Sequence, residues 1–497
     1  MLSNPADKLI IDNQRKLRAL EDELLASNNI DVANKAVRFA INNRSSIYCS
    51  PVIERFYLTL ADNIEEPIHS KACFPNQSPR ILHVLTRSYL KGGHTRFVER
   101  WMETATPDEV HSVYITDQHH EHEVTPTIHK QTKRLSGKLI LAESGLPLLK
   151  NAKNLRVEAS NYDFIILHHH MHDAVPIVAF GNKNFKQKVI VFNHAGHLFW
   201  LGALITDFVI DIERGQNQIS KVKRGIEFSK VINLIAPEVP EIKHDAAKVR
   251  KKFKIPSKGF VICAMASDAK FTPIEKYNFP STIAKILEKT ENTYFLGIGP
   301  HKRNPIWKDL LKQYPHRVIL LGSRPFSEVQ SLLKSSDLFL DSFPFNSWTS
   351  MIDAISLAHL PVLSLKTPVG LPAFLEHSLA DTESEEILIR RVIALSTNDI
   401  ELELNKSDML NRIKQCSREQ FAANIRDVLD SLQDLKHKRR ENICFDESLE
   451  ELDKHFIQMN SGSKSKTIGH KNIVALHYSP SNMRSVFILG KEFSIDY

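Results

Sequence analysis

From about residue 80 onward the chain alternates short apolar runs with longer amphipathic stretches. ILHVL (81–85), SVYI (112–115), KLILA (138–142), FIILH (164–168), VIVFN (189–193) and FVIDI (208–212) form one series. FVICAMA (260–266), TYFLGIG (293–299), RVILLG (317–322), LFLDSF (338–343) and PVLSL (361–365) form a second. Runs apolar on both faces predict buried strands, and strands alternating with helices predict a mainly parallel sheet covered on both sides. Between the series, APEVPEIKHDAAKVRKKFKIPSKG (236–259) breaks the rhythm with prolines and charge and reads as a linker. Residues 6–62 differ: LRALEDELL and VANKAVRFAI space their apolar residues three to four apart, which predicts a small helical region. EEILIRRVIALS and REQFAANIRDVLDSLQDL, beyond 380, are helical again, whereas 441–497, with SGSKSKT in its middle, is poorly patterned and reads as partly disordered. The fold class is therefore α/β: a helical region over 1–75, a first doubly wound domain over 76–240, a linker over 241–258, a second doubly wound domain over 259–435, and a tail over 436–497. Two open sheets in one chain predict a ligand cleft facing the carboxyl ends of their strands.

Composition changes this picture little. The 497 residues exceed one ordinary core, and 42% hydrophobic with 25% charged residues suits a soluble globular chain. The net charge of +7 is scattered apart from KVRKKFK (248–254) and KHKRR (436–440), so a dedicated nucleic-acid binder, which needs a denser basic face, is not indicated. The stretch 248–254 is a candidate contact for an anionic membrane surface or acceptor, although a solvated helix face is the plainer reading. Five cysteines without CxxC spacing indicate neither a disulfide framework nor a zinc knuckle, and fit a reducing compartment. With no signal-like N-terminus and no long uninterrupted apolar stretch, the expected location is cytoplasmic, at most touching a membrane surface.

The candidate chemistry lies after the strands. DSFPFNSWTSMIDAISLAHLPVLSL (341–365) reads as a strand, a polar loop carrying Trp348, Thr349 and Ser350, a helix opening near Asp353, and a buried strand. That order aims backbone N–H groups and hydroxyls at one point, which suits the phosphates and ribose of a nucleotide. Lys270, in ASDAKFTP after the first strand of the second series, supplies a point charge suited to a diphosphate. Ser323, Arg324 and Pro325 follow Gly322 at another strand end, where backbone groups could read a base edge, and Asp353 could accept two ribose hydroxyls. Singly, a lysine after a strand is usually a solvated charge, and Asp353 could be an ordinary carboxylate favoured by the helix dipole. Their succession on consecutive strand ends carries the weight.

Histidines mark the first series. GGHTRF (92–97) offers His94 as a base, with Gly92 and Gly93 letting the backbone approach a ligand; the bland alternative is a helix-opening turn. In LHHHMHD (167–173), His168, His170 and His172 would share one face of an extended backbone, but only Asp173 could join them as a further ligand, so no metal site is assigned. His170 and His172 are instead candidate acceptor or sugar contacts. His194 and His197 lie on the next strand's loop and more readily shape a pocket than perform chemistry; Phe199 and Trp200 read as core, and HHEHE (119–123) as a solvated loop.

The second domain resembles the nucleotide-binding domain of GT-B glycosyltransferases, and most closely the group of O-GlcNAc transferase and the bacterial adhesin glucosyltransferases. AKFTP places Lys270 where that family carries a lysine after the first strand, and NSWTSMID matches its phosphate loop in Thr349, Ser350 and Asp353. Trp348 stands where the family has a histidine. FNHAGHLFWLGALITDFVIDI (192–212) resembles the family's Gly-rich turn, and GGHTRF sits where its glycine-rich loop follows the first strand. The resemblance implies two Rossmann-like domains and transfer of a sugar from a UDP-sugar to a protein or glycan acceptor, with no cofactor or metal required. It implies donor contacts at Lys270, Ser323, Arg324, Pro325, Trp348, Thr349, Ser350 and Asp353, a base at His94, and acceptor or sugar contacts at Gly93, His170, His172 and His197. Absence of glutamate from 342–357 implies inversion. A UDP-sugar epimerase of the same architecture, or a nucleotide-sugar-binding protein without turnover, are the alternatives; Trp348 favours the last.

Overall fold

The computed structural model describes residues 4–64, 78–90, 93–118, 120, 124–238, 246–274, 276–433, 446–462, 485–488 and 491–494. The chain divides into two compact units: Met1–Ile232 with Ala422–Asp453 and Thr467–Tyr497, and Asn233–Phe421 with Lys454–Lys466.

In the first unit the apolar runs form strands β1 (Arg80–Leu85), β2 (Val110–Ile115), β3 (Leu139–Leu141), β4 (Phe164–His168), β5 (Lys188–Phe192), β6 (Phe208–Asp211) and β7 (Ser229–Val231). They pair in parallel in the order β3-β2-β1-β4-β5-β6-β7. Because successive side chains point to opposite faces, Leu82, Val84, Ile165, Leu167, Val189 and Val191 share one face. That face joins a single core with the N-terminal helices Pro5–Ser27, Ile30–Asn42 and Pro51–Asp62, through Leu17, Leu24, Val37, Ile53 and Tyr57. The helical region is thus part of this unit's core, and each fully buried aliphatic side chain contributes roughly 2 kcal/mol to holding it there. Ser50 caps the third helix by accepting from the Ile53 N–H at 3.2 Å, with Pro51 favourable in its first turn. This helix then turns Glu54 inward, where its carboxylate accepts the backbone N–H groups of Gly202, Ala203 and Leu204.

The second unit contains β8 (Phe260–Met265), β9 (Thr293–Ile298), β10 (Val318–Leu320), β11 (Leu338–Leu340), β12 (Val362–Leu365) and β13 (Asp381–Thr382), all parallel, in the order β10-β9-β8-β11-β12-β13. Val261 and Cys263 enter one core and Ile262 and Ala264 the other, as a sheet covered on both faces requires. Of the stretch 236–259, residues 239–245 lie outside the described ones, while the helix Ala246–Lys252 belongs to the second unit, with Ile255 in its core and Val249 and Phe253 packed against it. Part of the poorly patterned tail is ordered structure: Glu451–Gly462 is a helix that buries Phe456, and Ser485–Ile488 pairs with Lys491–Ser494 as an antiparallel hairpin. Apart from 446–450, the rest of the tail lies outside the described residues, as do KHKRR, most of HHEHE and Gly92.

Candidate functional site

Read from its first strand, each sheet has the same order, with third, second and first strands on one side and the fourth onward on the other. Chain direction therefore reverses its drift between β8 and β11 in the second unit and between β1 and β4 in the first, and the loops leaving those strands open a crevice at the carboxyl edge.

In the second unit that crevice is built around a buried carboxylate. Asp341, directly after β11, accepts from the backbone N–H groups of Ser342 (2.8 Å) and Ser347 (2.9 Å), the Asn346 amide (2.8 Å) and the Ser364 hydroxyl (2.9 Å). Burial pushes its acidity toward the neutral form, and these hydrogen bonds with the nearby Lys270 charge work against that shift. The loop 342–347 is thereby fixed. After β8, Phe271 is fully buried against Phe279 and Trp307, while Asp268 accepts the Trp307 indole N–H at 3.0 Å. That anchor sends Lys270 toward the β11 loop, where its ammonium donates to the Asn346 carbonyl at 3.0 Å, lies 3.5 Å from the Ser347 hydroxyl and sits 4.9 Å from the centre of the Phe345 ring. Burial lowers the Lys270 pKa to about 8, with Asp341 opposing the shift.

The helix expected to open near Asp353 opens at Trp348 instead, and β11 ends at Leu340 rather than 343. Ser347 precedes the helix, and the Ser350 and Met351 N–H groups already return to its carbonyl at 3.0 and 3.1 Å, so Trp348, Thr349 and Ser350 form a first turn rather than a loop. The Ser347 side chain makes no capping hydrogen bond at this end. Thr349 is exposed, the Ser350 hydroxyl is 3.0 Å from that of Ser347, and Asp353 is buried one turn beyond Ser350 on the same face. Trp348 packs against the core and donates its indole N–H to the Gly370 carbonyl at 3.1 Å, so its ring has a structural role. Ser323, Arg324 and Pro325 form an exposed turn after β10, entered through Gly322 at φ 66°. Two strand spacings, roughly 10 Å, separate this turn's strand from that of Lys270. Lys270, Ser347, Ser350 and the helix end thus come together, with the 323–325 turn at a distance. Ser347, Asn346 and Asp341 were not singled out from sequence; three hydroxyl or amide side chains after a strand-end aspartate were the available signal.

In the first unit, the face opposite the N-terminal helices carries His111 on β2, His83 on β1 and His168 on β4. Residue 81 pairs with 111 and residue 83 with 166, so each histidine lies two positions further along its strand than its neighbour. The diagonal lets the rings touch. His111 Nε2 is 3.0 Å from Glu109, His111 Nδ1 is 2.9 Å from His83 Nε2, His83 Nδ1 is 3.1 Å from His168 Nε2, and His168 Nδ1 is 3.0 Å from His194 Nε2, in the loop after β5. Burial opposes the Glu109 charge, but bonds from His111 and Thr106 outweigh it and keep the carboxyl ionised, so it can only accept. The tautomers follow in sequence, each ring donating from Nε2 toward Glu109 and presenting a bare Nδ1 to the next. Burial lowers the pKa of His83, His168 and His194 well below the usual range, consistent with neutral rings.

His94 belongs to the helix Gly93–Thr104, which covers this face with Phe97 and Trp101. Its ring centre is 4.2 Å from that of His194, and both its nitrogens are buried without a hydrogen bond of ordinary geometry among the described residues. Burial pushes its pKa down to about 4, although the His168 backbone nearby favours the charged form. The alternation expected of His168, His170 and His172 ends with the strand: only His168 lies on the sheet face, because the chain turns at 169–172. His170 is buried with Tyr89 Oη at 3.3 Å, His172 is exposed, and Asp173 holds the turn by accepting from Thr86 (2.7 Å) and Thr116 (2.6 Å). The His197 carbonyl accepts from Arg44, and Phe199 and Trp200 are core. His83 and His111 were missed in the sequence, where an imidazole amid an apolar strand is their only signal.

Two doubly wound parallel sheets in one chain, each with polar side chains gathered at its switch point, define a two-unit Rossmann-like protein of the GT-B fold. No protein-family model matches the chain, and no curated protein is significantly similar to it. Solved structures do share the fold. A lysine-to-methionine mutant of the Thermobaculum terrenum O-GlcNAc transferase aligns with TM-score 0.52 and 13% identity over 85% of this chain and 81% of its own. Anabaena HepE, solved with UDP and glucose, gives 0.53 and 15% over 71% and 100%, and a glycosyltransferase from Rickettsia africae gives 0.54 and 14% over 73% and 100%.

Proposed function

We propose that this chain is a glycosyltransferase that moves a sugar from a UDP-sugar to a hydroxyl or amide of a protein or glycan acceptor. One observation carries the reading: an enclosed lysine ammonium beside two serine hydroxyls and an uncapped helix N-terminus, at the switch point of a Rossmann-like sheet. Transfer leaves negative charge on the departing diphosphate and positive charge on the sugar ring. Lys270, Thr349, Ser350 and the helix N–H groups would stabilise that diphosphate without a metal at this position. The 323–325 turn would meet the base, and Asp353 the ribose. HepE, bound to UDP and glucose, supports a uridine nucleotide as the donor's leaving group. Inversion is supported by the absence of glutamate from 342–357. The acceptor's proton falls to the neutral imidazoles of the first unit, with His94, His170 and His194 at its carboxyl edge.

Thermal-shift screening with UDP, GDP, CMP and their common sugars tests the donor, since a bound ligand stabilises in proportion to its affinity and concentration. UDP and at least one UDP-sugar should raise the transition; no shift from any nucleotide would end the glycosyltransferase reading. Thr349→Ala and Lys270→Ala should each weaken UDP, and variants that bind it as tightly as the parent would refute the site. An isomeric sugar formed from UDP-GlcNAc without acceptor would indicate an epimerase instead.

A further inference from the structure

The first unit holds a second constellation, in which His94 and His194, named above for the acceptor's proton, stand together with His168. One ring nitrogen from each of His94, His168 and His194 lies within 4.8 Å of the others. The three come from separate elements: His94 from the helix Gly93–Thr104, His168 from the end of β4, and His194 from the loop after β5. Three imidazole nitrogens about a zinc-class ion stand roughly 3.3 Å apart, given bonds of about 2.0–2.1 Å, so modest ring movements close the set around one cation. His168 Nδ1 and His194 Nε2 are already 3.0 Å apart.

We propose that His94, His168 and His194 form a binding site for one divalent transition-metal ion of the zinc class, with further coordination positions left to other ligands.

Two features make these rings ligands rather than a packed aromatic cluster. The first is His94, whose two buried nitrogens make no hydrogen bond of ordinary geometry among the described residues, with only the His168 backbone close enough to interact. An imidazole left so loses the hydrogen bonds water would give it, a loss that a metal bond would offset. The second is the row behind His168. Its Nε2 faces His83, His83 faces His111, and His111 faces Glu109, so an ionised carboxylate fixes His168 with its proton on Nε2 and a bare lone pair on Nδ1. Metal-bound histidines are held in this way by an outer carboxylate; here two further imidazoles carry the effect across the sheet. His194 needs only to move its proton from Nε2 to Nδ1. Three nitrogen donors without a carboxylate or thiolate favour zinc, cobalt, nickel or copper over magnesium and calcium. Once bound, the ion would take His94 out of the role of a free base.

Tag-free full-length protein, stripped with chelator and dialysed, would be titrated with Co²⁺ alone and then Zn²⁺ alone, with bound metal per chain measured by mass spectrometry. One equivalent should bind, Co²⁺ should give visible ligand-field bands, and Zn²⁺ should displace it. His94→Ala and His194→Ala should each weaken binding by roughly 100-fold or more, while His172→Ala, at an exposed neighbouring position, should leave it unchanged. Circular dichroism on each variant confirms folding. His94→Ala is the decisive variant, because its ring nitrogens make no hydrogen bond of ordinary geometry among the described residues. Absence of a stoichiometric ion, or equal binding by folded His94→Ala, would overturn the proposal. The readout is metal content, so it stands or falls independently of UDP binding and transfer.

Discussion

Lys270 gives the sharpest test of the donor site, because its charge is costly in the free protein and required by a diphosphate. Burial takes its pKa from an ordinary 10.5 to about 8. This is a penalty of roughly 3 kcal/mol at most for the charged form, an upper limit because the residue as a whole is only half-buried. The sign for folding follows: the unfolded lysine binds its proton more tightly, so this group's destabilising effect fades as pH rises from about 8 to about 10.5. Binding runs the other way. A nucleotide diphosphate holds the charged lysine, and its terminal phosphate, with a pKa near ~6, is already ionised above neutrality. UDP affinity should therefore fall as pH rises through about 8, to roughly one tenth of its neutral value by about pH 9. Calorimetric titration of UDP from about pH 7 to about pH 9, repeated in buffers of different ionisation enthalpy, would read both the affinity and the proton taken up. Lys270→Met should bind more weakly at neutral pH and lose the pH slope. A flat profile in the parent, or the same slope in Lys270→Met, would refute the placement of the ammonium on the diphosphate.

Other consequences concern the scaffold. Asp341→Ala removes the acceptor of three donors in the β11 loop and of the Ser364 hydroxyl on β12, and should cost on the order of 4 kcal/mol in denaturant unfolding while weakening UDP. Burial pushes Glu54 up to about 7 against the three N–H groups it accepts, so the folded state holds this proton more tightly; stability should fall as pH rises from about 4.5 to about 7, and Glu54→Gln should remove that slope in urea titrations. Trp348→Phe loses the bond to the Gly370 carbonyl and should reduce stability by about 1 kcal/mol, with UDP affinity almost unchanged; a large loss of affinity would return the indole to the donor site.

The strand ends that carry the second unit's candidate site could be read in advance. Lys270, Thr349, Ser350 and Asp353 follow strands whose apolar runs are unmistakable, and a parallel doubly wound sheet brings the loops after its first and fourth strands together. What escaped were the residues that hold the loop. Asp341 looked like the end of a strand, and Ser347 like one polar residue among several, until burial and four hydrogen bonds made the carboxylate the loop's organiser. Trp348 stood out as a departure from the resembling family; only packing decided that its indole serves the carbonyl of Gly370.

The histidines divide most clearly between the two kinds of information. The sequence holds His83 within one apolar run and His168 at the end of another, with His111 just before a third, and a two-residue period gives each side chain a face without saying what lies beside it. It also placed His94 and His194 just beyond strands, where loops and helix starts gather at one edge. Strand order and register are set by contacts between residues far apart in the chain, so local pattern does not specify them. Tertiary structure set β2, β1 and β4 side by side and staggered their histidines by two residues, turning isolated buried imidazoles into a row ending at His94, His168 and His194.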